Sequence, residues 1–303
     1  MSRLDRQSFL GVDSDRILAT STVGIVGLGG GGSHEVQQLA HLGVGRYVIV
    51  DPDIIELSNS NRLVGGTLAD VNRQAPKVQI AERVIRSLLP DAVITTIQDR
   101  WETATEQLKG CDIILGAVDS FNARDQLERF CRRFLIPYID VGMDVHAIGA
   151  SGYLISGQVI RSVPGEPCMR CCCFINDQVL QREAEQYGEA GSRPQVVWPN
   201  GVLASTAVGM AVQMLTPWHA GVRAFQYLSY DGNKGIIAPN RWMAELASKE
   251  CSHYPASETG DPGFDIRALT ASAAPATSII ADPVVRLSFW RRLKDWLARL
   301  IAK

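Results

Sequence analysis

The stretch TVGIVGLGGGGSHEVQQLAHLG, residues 22–43, decides the fold class of this chain. It begins with a short apolar run, continues through a glycine-rich turn and ends with helical periodicity. Gly27, Gly29 and Gly32 match the spacing G-x-G-x-x-G, which lets a backbone approach a pyrophosphate at a helix N-terminus. We therefore predict a nucleotide-binding turn that involves Gly27, Gly29, Gly30 and Gly32.

Strand and helix signals alternate through the first half of the chain, as they do in βαβ units. The predicted strands cover 22–27, 46–51, 92–97, 112–119 and 137–142, and the predicted helices cover 34–42, 76–89 and 122–135. Continuous apolar strands joined by helices favour a parallel sheet with helices on both faces. The sequence thus predicts an α/β fold with a Rossmann-like, mostly parallel sheet.

The pattern changes after Val145, where shorter alternating runs predict antiparallel strands that extend the sheet. Residues 161–200 are rich in cysteine, proline, glycine and polar side chains, and we interpret them as a long crossover excursion. An uncharged helix is predicted over 201–216, followed by a further strand within 224–232. We assign residues 1–255 to one domain on this basis.

Composition and charge exclude several classes of protein. The chain has 303 residues and is 46% hydrophobic, an ordinary composition for a globular protein. Its net charge of -2 lacks the excess of basic residues that is typical of a general nucleic-acid binder. Four of the seven cysteines lie within 168–173, a crowding that favours reduced thiols in a cytoplasm over a secreted disulfide framework. The first residues, MSRLDRQSFL, lack the apolar region of a secretory signal. We therefore predict a cytoplasmic protein without a nucleic-acid partner.

The polar residues that follow the strands distinguish between nucleotides. Asp51 ends the second predicted strand and can hold ribose hydroxyls. Arg62 and Lys77 suit the phosphate charge of ATP better than that of a nicotinamide dinucleotide, and Asp119 is a hard oxygen ligand for Mg²⁺. Two asparagines can also bond phosphate or ribose oxygens, namely Asn59 and Asn61.

Taken together, these motifs resemble the ThiF/MoeB family, relatives of the adenylation domain of ubiquitin-activating enzymes. The resemblance covers about residues 4–254 and includes the segments RLDRQSFLG, GLGGGGS, SNSNR, PK and VDSFNAR. It implies that ATP and Mg²⁺ are bound by five of the residues already singled out: Asp51 on the ribose, Asn59, Arg62 and Lys77 on phosphates, and Asp119 on Mg²⁺.

Three further positions bear on the assembly and the site. In the family the second arginine of the amino-terminal R-x-x-R-Q segment reaches the ATP bound by the partner subunit. The resemblance therefore implies that role for Arg6 and, with it, a homodimer. Ser120 stands where the family pattern has asparagine, which weakens a direct role for this position, whereas Arg124 matches the arginine of the same pattern.

The segment PCMRC contains Cys168 and Cys171 and is similar to the family's first zinc half-site, P-C-x-x-C. Two thiolates at this spacing can bind one tetrahedral zinc ion. Of the second half-site only Cys251 matches. We predict a structural zinc ion, the alternative being free thiols. The fourth ligand is left open between three residues: His253, Cys172 and Cys173.

The resemblance implies an ATP-dependent adenylyltransferase. Its substrate would be a ubiquitin-like or sulfur-carrier protein whose C-terminal Gly-Gly carboxylate becomes an acyl-adenylate, with release of pyrophosphate. An ionised carboxylate needs no general base, so catalysis depends on positioning and charge neutralisation by Arg6, Arg62, Lys77 and Asp119. We expect no obligatory thioester on the enzyme, because residues 174–250 contain no cysteine.

Two other functions remain open. An adenylating dehydratase that acts on a modified tRNA base would use the same adenylation chemistry, although relatives of that kind lack the C-x-x-C half-site. A nicotinamide-dependent oxidoreductase would account for the glycines and Asp51. It would leave Arg62, Lys77 and Asp119 without a role.

The last segments are predicted to be separate from the domain. Residues 256–282 have the Ala-, Ser-, Thr- and Pro-rich composition of a flexible linker. Residues 283–303 place apolar side chains at helical spacing and carry six basic residues against one acidic residue. A basic amphipathic helix of this kind can lie peripherally on an anionic membrane surface, dock on a partner or pack on its own domain.

Overall fold

The computed structural model describes residues 3–149, 152–185, 194–219, 226–241, 245, 251–255 and 259–260. The helix predicted over 283–303 and nearly all of the linker predicted over 256–282 lie outside these residues. Within the described residues, no helix has both the length and the apolar character that a membrane crossing needs.

The described part of the chain forms an eight-stranded sheet in the order β3-β2-β1-β4-β5-β6-β7-β8. Strands β1 to β5 pair in parallel, and β5 to β8 pair antiparallel. This confirms the predicted α/β fold with a mostly parallel sheet extended by antiparallel strands. The strands are β1 (Thr22–Val26), β2 (Arg46–Val50), β3 (Val93–Ile97), β4 (Ile113–Gly116), β5 (Tyr138–Ala147), β6 (Tyr153–Ser162), β7 (Tyr227–Asp231) and β8 (Ile236–Pro239).

Helices cover both faces of the sheet. One apolar core lies between the sheet and α2, α4 and α8, and a second lies between the sheet and α5 and α6. Short 3-10 turns occur at Asp5–Leu10, Leu57–Asn59 and Trp101–Ala104. The helices are α1 (Ser14–Thr20), α2 (Gly30–Leu42), α3 (Leu68–Asn72), α4 (Lys77–Leu88), α5 (Thr105–Leu108), α6 (Phe121–Arg133), α7 (Asp177–Glu185) and α8 (Val197–Leu215).

Several boundaries differ from the predicted ones. Helix α2 begins at Gly30, because the glycines of the turn form its first helical turn. Helix α8 begins at Val197, and Pro199 is tolerated because the first turn of a helix has no acceptor for its N–H group. Strand β5 continues to Ala147 because it pairs with β6 along its length. The sequence pattern did not predict α7 within the excursion, nor β8.

Two glycines let α2 begin directly above the end of β1. A Cβ at Gly32 would clash with the carbonyl oxygen of Gly27. Gly27 has a φ of +88°, and a Cβ there would lie 2.5 Å from the carbonyl oxygen of Ala117, just beyond β4. At Gly29, by contrast, an added Cβ would meet no atom within 4 Å. Gly27 and Gly32 therefore form the close backbone approach, whereas Gly29 borders open space.

Asp70 braces the loop between β2 and α4. Its buried carboxylate accepts hydrogen bonds from the backbone N–H of Thr67 at 2.9 Å and from Arg83 of α4 at 2.6 and 2.8 Å. The hydrogen bonds from Arg83 hold the pKa of Asp70 well below its usual range, so this carboxylate is ionised at neutral pH. The part of this connection around Gly65 and Thr67 is thereby fixed against α4.

Alanine should affect stability differently at Gly32, which packs against backbone, and at Gly29, which borders open space. Over-packing costs about 1–3 kcal/mol, and each kcal/mol corresponds to roughly 2–4 °C in a domain of this size, so Gly32→Ala should lower the melting temperature by several degrees. Gly29→Ala, in the same turn, is the matched control and should leave the melting temperature nearly unchanged. Calorimetry measures both, and equal stability of the two variants would contradict the close contact at Gly32.

Candidate nucleotide site and cysteine cluster

A cavity of about 1260 Å³ lies at the carboxyl edge of the parallel strands, where ligands of such sheets bind. The glycine turn, the loop after β2, the start of α4 and the segment after β4 all line it. The structure thus brings together, around one volume, the following residues predicted from the sequence to bind nucleotide or Mg²⁺: Gly29, Gly30, Asn59, Asn61, Arg62, Lys77 and Asp119.

The first turn of α2 forms one wall of this cavity. The N-cap residue is Gly29, which has no side chain to cap the helix. Gly29, Gly30 and Gly31 all line the cavity. The N-terminal N–H groups of a 13-residue helix attract anions. A Cβ at Gly30 would clash with the side chain of Asn200, so this glycine also lets α8 approach the turn.

Arg62 is positioned by its own loop. Its guanidinium donates to the carbonyl oxygen of Ser58 at 2.7 Å and to the Asn61 side chain at 3.1 Å. Asn61 donates in turn to the carbonyl oxygen of Gln195 at 2.9 Å, and Asn59 accepts a hydrogen bond within the preceding 3-10 turn. These partners of Arg62 are uncharged, so they orient the guanidinium without neutralising it.

Lys77 is buried at the start of α4, close to two carboxylates. Its Nζ lies 2.7 Å from an oxygen of Asp53 and 3.9 Å from an oxygen of Asp51. Asp51 is only 4% exposed, and its carboxylate accepts hydrogen bonds from the backbone N–H groups of Leu28 and Asp53. Burial raises the pKa of Asp51, and the Lys77 ammonium opposes this shift. Asp51 therefore ties the end of β2 to the glycine turn, and it does not itself line the large cavity.

The segment after β4 contributes Asp119, which is exposed and lines the cavity. The next residue, Ser120, caps α6, since its Oγ accepts a hydrogen bond from the backbone N–H of Ala123 at 3.0 Å. Serine can thus accept a hydrogen bond from a free N–H group at this helix N-terminus, in place of the asparagine of the family pattern. Arg124 also lines the cavity, but it is 8% exposed and ion-paired with the buried Asp140.

Arg6 lies away from the cavity of its own chain. On either side of it, Arg3 donates to the carbonyl oxygen of His41 at 3.0 Å, and Gln7 donates to that of Leu42 at 3.0 Å. Both acceptors belong to the last turn of α2. At a rise of about 1.5 Å per residue, that turn is roughly 20 Å from the first turn of α2, which lines the cavity. The exposed Arg6 is thus placed at the opposite end of α2 from the glycine turn.

A second cavity, of about 410 Å³, lies beside the glycine turn and was not predicted. Its walls are mainly apolar and come from the ends of β1, β2 and β4 and from the segment after β3. In that segment, the buried Nε1 of Trp101 has no hydrogen-bond partner among the described residues. The segment matches no motif, and its only signal in the sequence is a tryptophan just beyond a strand end. Its lining includes Val26, Gly27, Val50, Pro52, Trp101 and Val118.

Cys168, Cys171, Cys251 and His253 meet away from the cavity, and their ligand atoms all lie within 4.8 Å of one another. The Sγ atoms of Cys168 and Cys171 are 3.6 Å apart. Two thiolates bound tetrahedrally to one zinc ion at about 2.3 Å are about 3.8 Å apart, so the spacing fits. Nδ1 of His253 lies 3.5 and 3.3 Å from the same two sulfur atoms. The donor set therefore fits a Cys₃His zinc site.

The neighbouring cysteines do not belong to this cluster. Cys172 is 4% exposed, in the interior, and Cys173 is exposed. Among the three residues that the sequence left open as fourth ligand, the geometry therefore favours His253.

The cluster is anchored on α6 by two buried charges. Glu128, fully buried, accepts hydrogen bonds from the backbone N–H of Met169 at 2.9 Å and from the Tyr254 hydroxyl at 3.4 Å. Arg132, 2% exposed, donates to the carbonyl oxygen of Pro167 at 2.9 Å and lies 5.7 Å from the centre of the Tyr254 ring. One helix thus holds both chain segments that supply the cluster.

Comparison with known proteins places this fold and site in context. The model of the ThiF family matches residues 2–253. The SAMP-activating enzyme E1 of Haloferax volcanii is 34% identical over 164 residues, which cover 54% of this chain and 57% of that enzyme. Ubiquitin-like modifier-activating enzyme 5 of Rattus norvegicus is 30% identical over 264 residues, which cover 80% of this chain and 60% of that enzyme. The matches thus span less than two thirds of the length of either relative.

Among solved structures, E. coli MccB crystallised with ATP superimposes with a TM-score of 0.65. The two chains are 20% identical, and the match covers 79% of this chain and 71% of MccB. At this identity the likeness shows a shared fold.

The cysteine cluster predicts a zinc content that depends on named ligands. We expect close to one zinc ion per chain, measured by inductively coupled plasma mass spectrometry after purification without chelator. Cys251→Ser and His253→Ala should each remove most of the metal and lower the melting temperature, because a structural zinc ion contributes to folding. Cys173→Ser is the matched control and should retain the zinc. Full zinc in Cys251→Ser would be incompatible with the proposed ligand set.

Proposed function

This chain belongs to the ThiF family, and on that premise we propose that it is an ATP-dependent adenylyltransferase. Its substrate is the C-terminal glycine carboxylate of a ubiquitin-like or sulfur-carrier protein. The observation that supports this most is the meeting of Arg62, Lys77 and Asp119 with the N-terminus of α2 around one cavity. Triphosphate charge needs this combination of cations, helix N–H donors and an acid that can hold a metal ion.

The two cavities together suit the parts of ATP. The smaller, apolar cavity suits the adenine ring, and the unpartnered Trp101 Nε1 there is a hydrogen-bond donor. Asp51 lines neither cavity but is hydrogen-bonded to Leu28 of the glycine turn, and we assign it to the ribose hydroxyls as the family resemblance implies. The phosphates then extend past Gly29 toward Arg62 and Lys77. Mg²⁺ held by Asp119 would neutralise part of the phosphate charge.

The reaction needs few catalytic groups. A carboxylate oxygen of the substrate attacks the α-phosphorus of ATP, the bond from that phosphorus to the bridging oxygen of pyrophosphate breaks, and pyrophosphate leaves with the electron pair. The nucleophile is ionised at neutral pH, so no base has to remove a proton. Arg62 and Lys77 contribute by holding the reacting groups in line and by stabilising charge on the departing pyrophosphate.

The names of the relatives support the choice of substrate. The rat relative is named as an activating enzyme for a ubiquitin-like modifier, and its match covers 80% of this chain. The large cavity continues beyond the phosphate end along β5 and β6, past Met143 and Ser156, which leaves room for an extended peptide tail. An oxidoreductase would leave Arg62, Lys77 and Asp119 without a role. An enzyme that modifies tRNA would have to bind a nucleobase, rather than a peptide tail, in this part of the cavity.

The proposal includes no obligatory thioester on the enzyme. Three cysteines belong to the metal cluster, and Cys111, Cys131 and Cys172 are buried. Cys173 is exposed, so a thioester there is the outcome that would revise this part of the proposal. A carrier trapped on the enzyme, released by thiol reductant and absent in Cys173→Ser, would be that outcome.

The proposal also includes a homodimer in which Arg6 acts on the partner's ATP. Arg6 lies at the end of α2 opposite its own glycine turn, roughly 20 Å from it. An arginine side chain is too short to cross that distance. A second copy that presents its glycine turn to this end of the molecule would receive the guanidinium.

Pyrophosphate exchange tests the activity. With ATP, Mg²⁺ and a ubiquitin-like protein ending in Gly-Gly, labelled pyrophosphate should enter ATP. Asp119→Ala and Lys77→Ala should each lower the rate by about 10²-fold or more, the usual effect of removing a group that stabilises transition-state charge. Removal of the Gly-Gly tail is the substrate control. Exchange that proceeds without any carrier, or with tRNA alone, would reject the proposed substrate.

Subunit complementation tests the role of Arg6. Arg6→Ala and Asp119→Ala should each be inactive as purified dimers. If Arg6 acts on the partner, each mixed dimer has one complete site, so an equal mixture should recover about a quarter of the unmodified activity after random subunit exchange. If Arg6 acts within its own chain, the mixture stays inactive. Mixing Lys77→Ala with Asp119→Ala is the matched control, because both residues lie in one chain's cavity and no complete site can form.

A further inference from the structure

Helix α7, in the Cys-rich excursion, is bound to the start of α6 by a carboxylate. The two oxygens of Glu183 accept hydrogen bonds from the backbone N–H groups of Phe121 and Asn122, each at 2.8 Å. The Oγ of Ser120 accepts a hydrogen bond from the next N–H of the same helix end, that of Ala123. The N-terminus of α6, two residues beyond Asp119, is therefore capped from a helix more than 60 positions away in the chain.

The other end of α7 is bound through Arg170, which lies between the cluster residues Cys168 and Cys171. Arg170 makes a bidentate ion pair with Asp125 of α6, at 2.8 and 3.0 Å. It also pairs with Asp177, the first residue of α7, at 2.9 Å. Helix α7 is thus linked to α6 at both of its ends, and one of the links starts within the metal-binding segment.

Among the residues that the structure describes, few other contacts hold α7 in place. None of its residues is buried, and Leu180 is a partly buried contact with the apolar core. Of the excursion, five described residues line the large cavity: Phe174, Glu183, Pro194, Gln195 and Asn200. The ring of Phe174 lies 5.5 Å from that of Phe121. Glu183 is the residue of α7 that lines the cavity, so its hydrogen bonds decide whether this helix stays against the cavity.

We propose that α7 is a latch over the cavity and that Glu183 is its closing contact. This inference rests on the proposed function. Glu183 is a positioning residue: it holds α7 against the site while the acyl-adenylate is present, and it limits the access of water. Without that cover, a water oxygen attacks the acyl carbon, and the bond from that carbon to the phosphate oxygen breaks. AMP leaves, and the carrier carboxylate and a proton are released.

A carboxylate on backbone N–H groups suits a latch that must also open. The two hydrogen bonds are charge-assisted and directional, yet Glu183 is partly solvated and can exchange them for water. A carrier tail has to enter before the reaction and leave after it, so a contact of this kind can break and reform in each cycle.

Hydrogen exchange in the full-length chain tests the contact without any carrier. Glu183→Gln keeps the size of the side chain and removes its charge, and Glu185→Gln on the same helix is the matched control. The amides of Phe121 and Asn122 should exchange about tenfold faster in Glu183→Gln and at the unmodified rate in Glu185→Gln. Unchanged protection in Glu183→Gln would overturn the latch.

The loss of intermediate tests the function of the contact. With ATP and a carrier that supports pyrophosphate exchange, the amount of AMP released per exchange event should rise about fivefold in Glu183→Gln and stay unchanged in Glu185→Gln. Asp177→Asn weakens the other end of α7 and should give a smaller rise in AMP release. It also provides the second measurement if Glu183→Gln does not fold.

Faster amide exchange with an unchanged AMP ratio in both latch variants would reduce Glu183 to a structural cap and overturn the proposal. An unmodified protein that shows no exchange with any carrier indicates a failure of the proposed function. That failure also removes the intermediate that the latch protects. It can be told apart from a failure of the latch proposal because it is seen in the unmodified protein, whereas the latch proposal is tested by comparing variants.

Discussion

The backbone at Gly32 lies so close to the carbonyl oxygen of Gly27 that no side chain fits between them. This contact places the start of α2 over the end of β1, so the first N–H groups of the helix open onto the cavity. The loops after β2 and β4 end at the same edge of the sheet, because the carboxyl ends of parallel strands meet there. Arg62 and Asp119 therefore line the same cavity as the N-terminus of α2, whose position the glycine contact sets.

Much of this arrangement could be predicted from the sequence, because its signals are local. Apolar runs of strand length, separated by helical periodicity, predict the parallel sheet, and a residue that directly follows a strand must lie at the carboxyl edge. Asp119 satisfies that rule after β4, whereas Arg62 and Lys77 lie further along, in the connection from β2 to α4. All three line the large cavity. Gly27 and Gly32 matched a ligand-binding motif, yet both serve the packing of backbone on backbone.

Contacts between distant parts of the chain could not be predicted in the same way. The sequence left three residues open as the fourth cluster ligand, and only the folded chain separates His253 from the buried Cys172 and the exposed Cys173. Trp101 carries no motif, because an apolar pocket needs shape rather than a particular residue order. Glu183 lies in a short helix without buried residues, and its partners are backbone N–H groups, which have no sequence signature.

Helix α6 supports two regions that differ in chemistry. Its first turn borders the nucleotide cavity, and its later turns hold the cysteine cluster through Glu128 and Arg132. A graft of this excursion onto another member of the family would therefore have to include α6. An excursion moved alone would arrive without Asp125, Glu128 and Arg132. Arg170, the backbone N–H of Met169 and the carbonyl oxygen of Pro167 would then lack the partners that they have here, and unpartnered polar groups in an interior destabilise a fold.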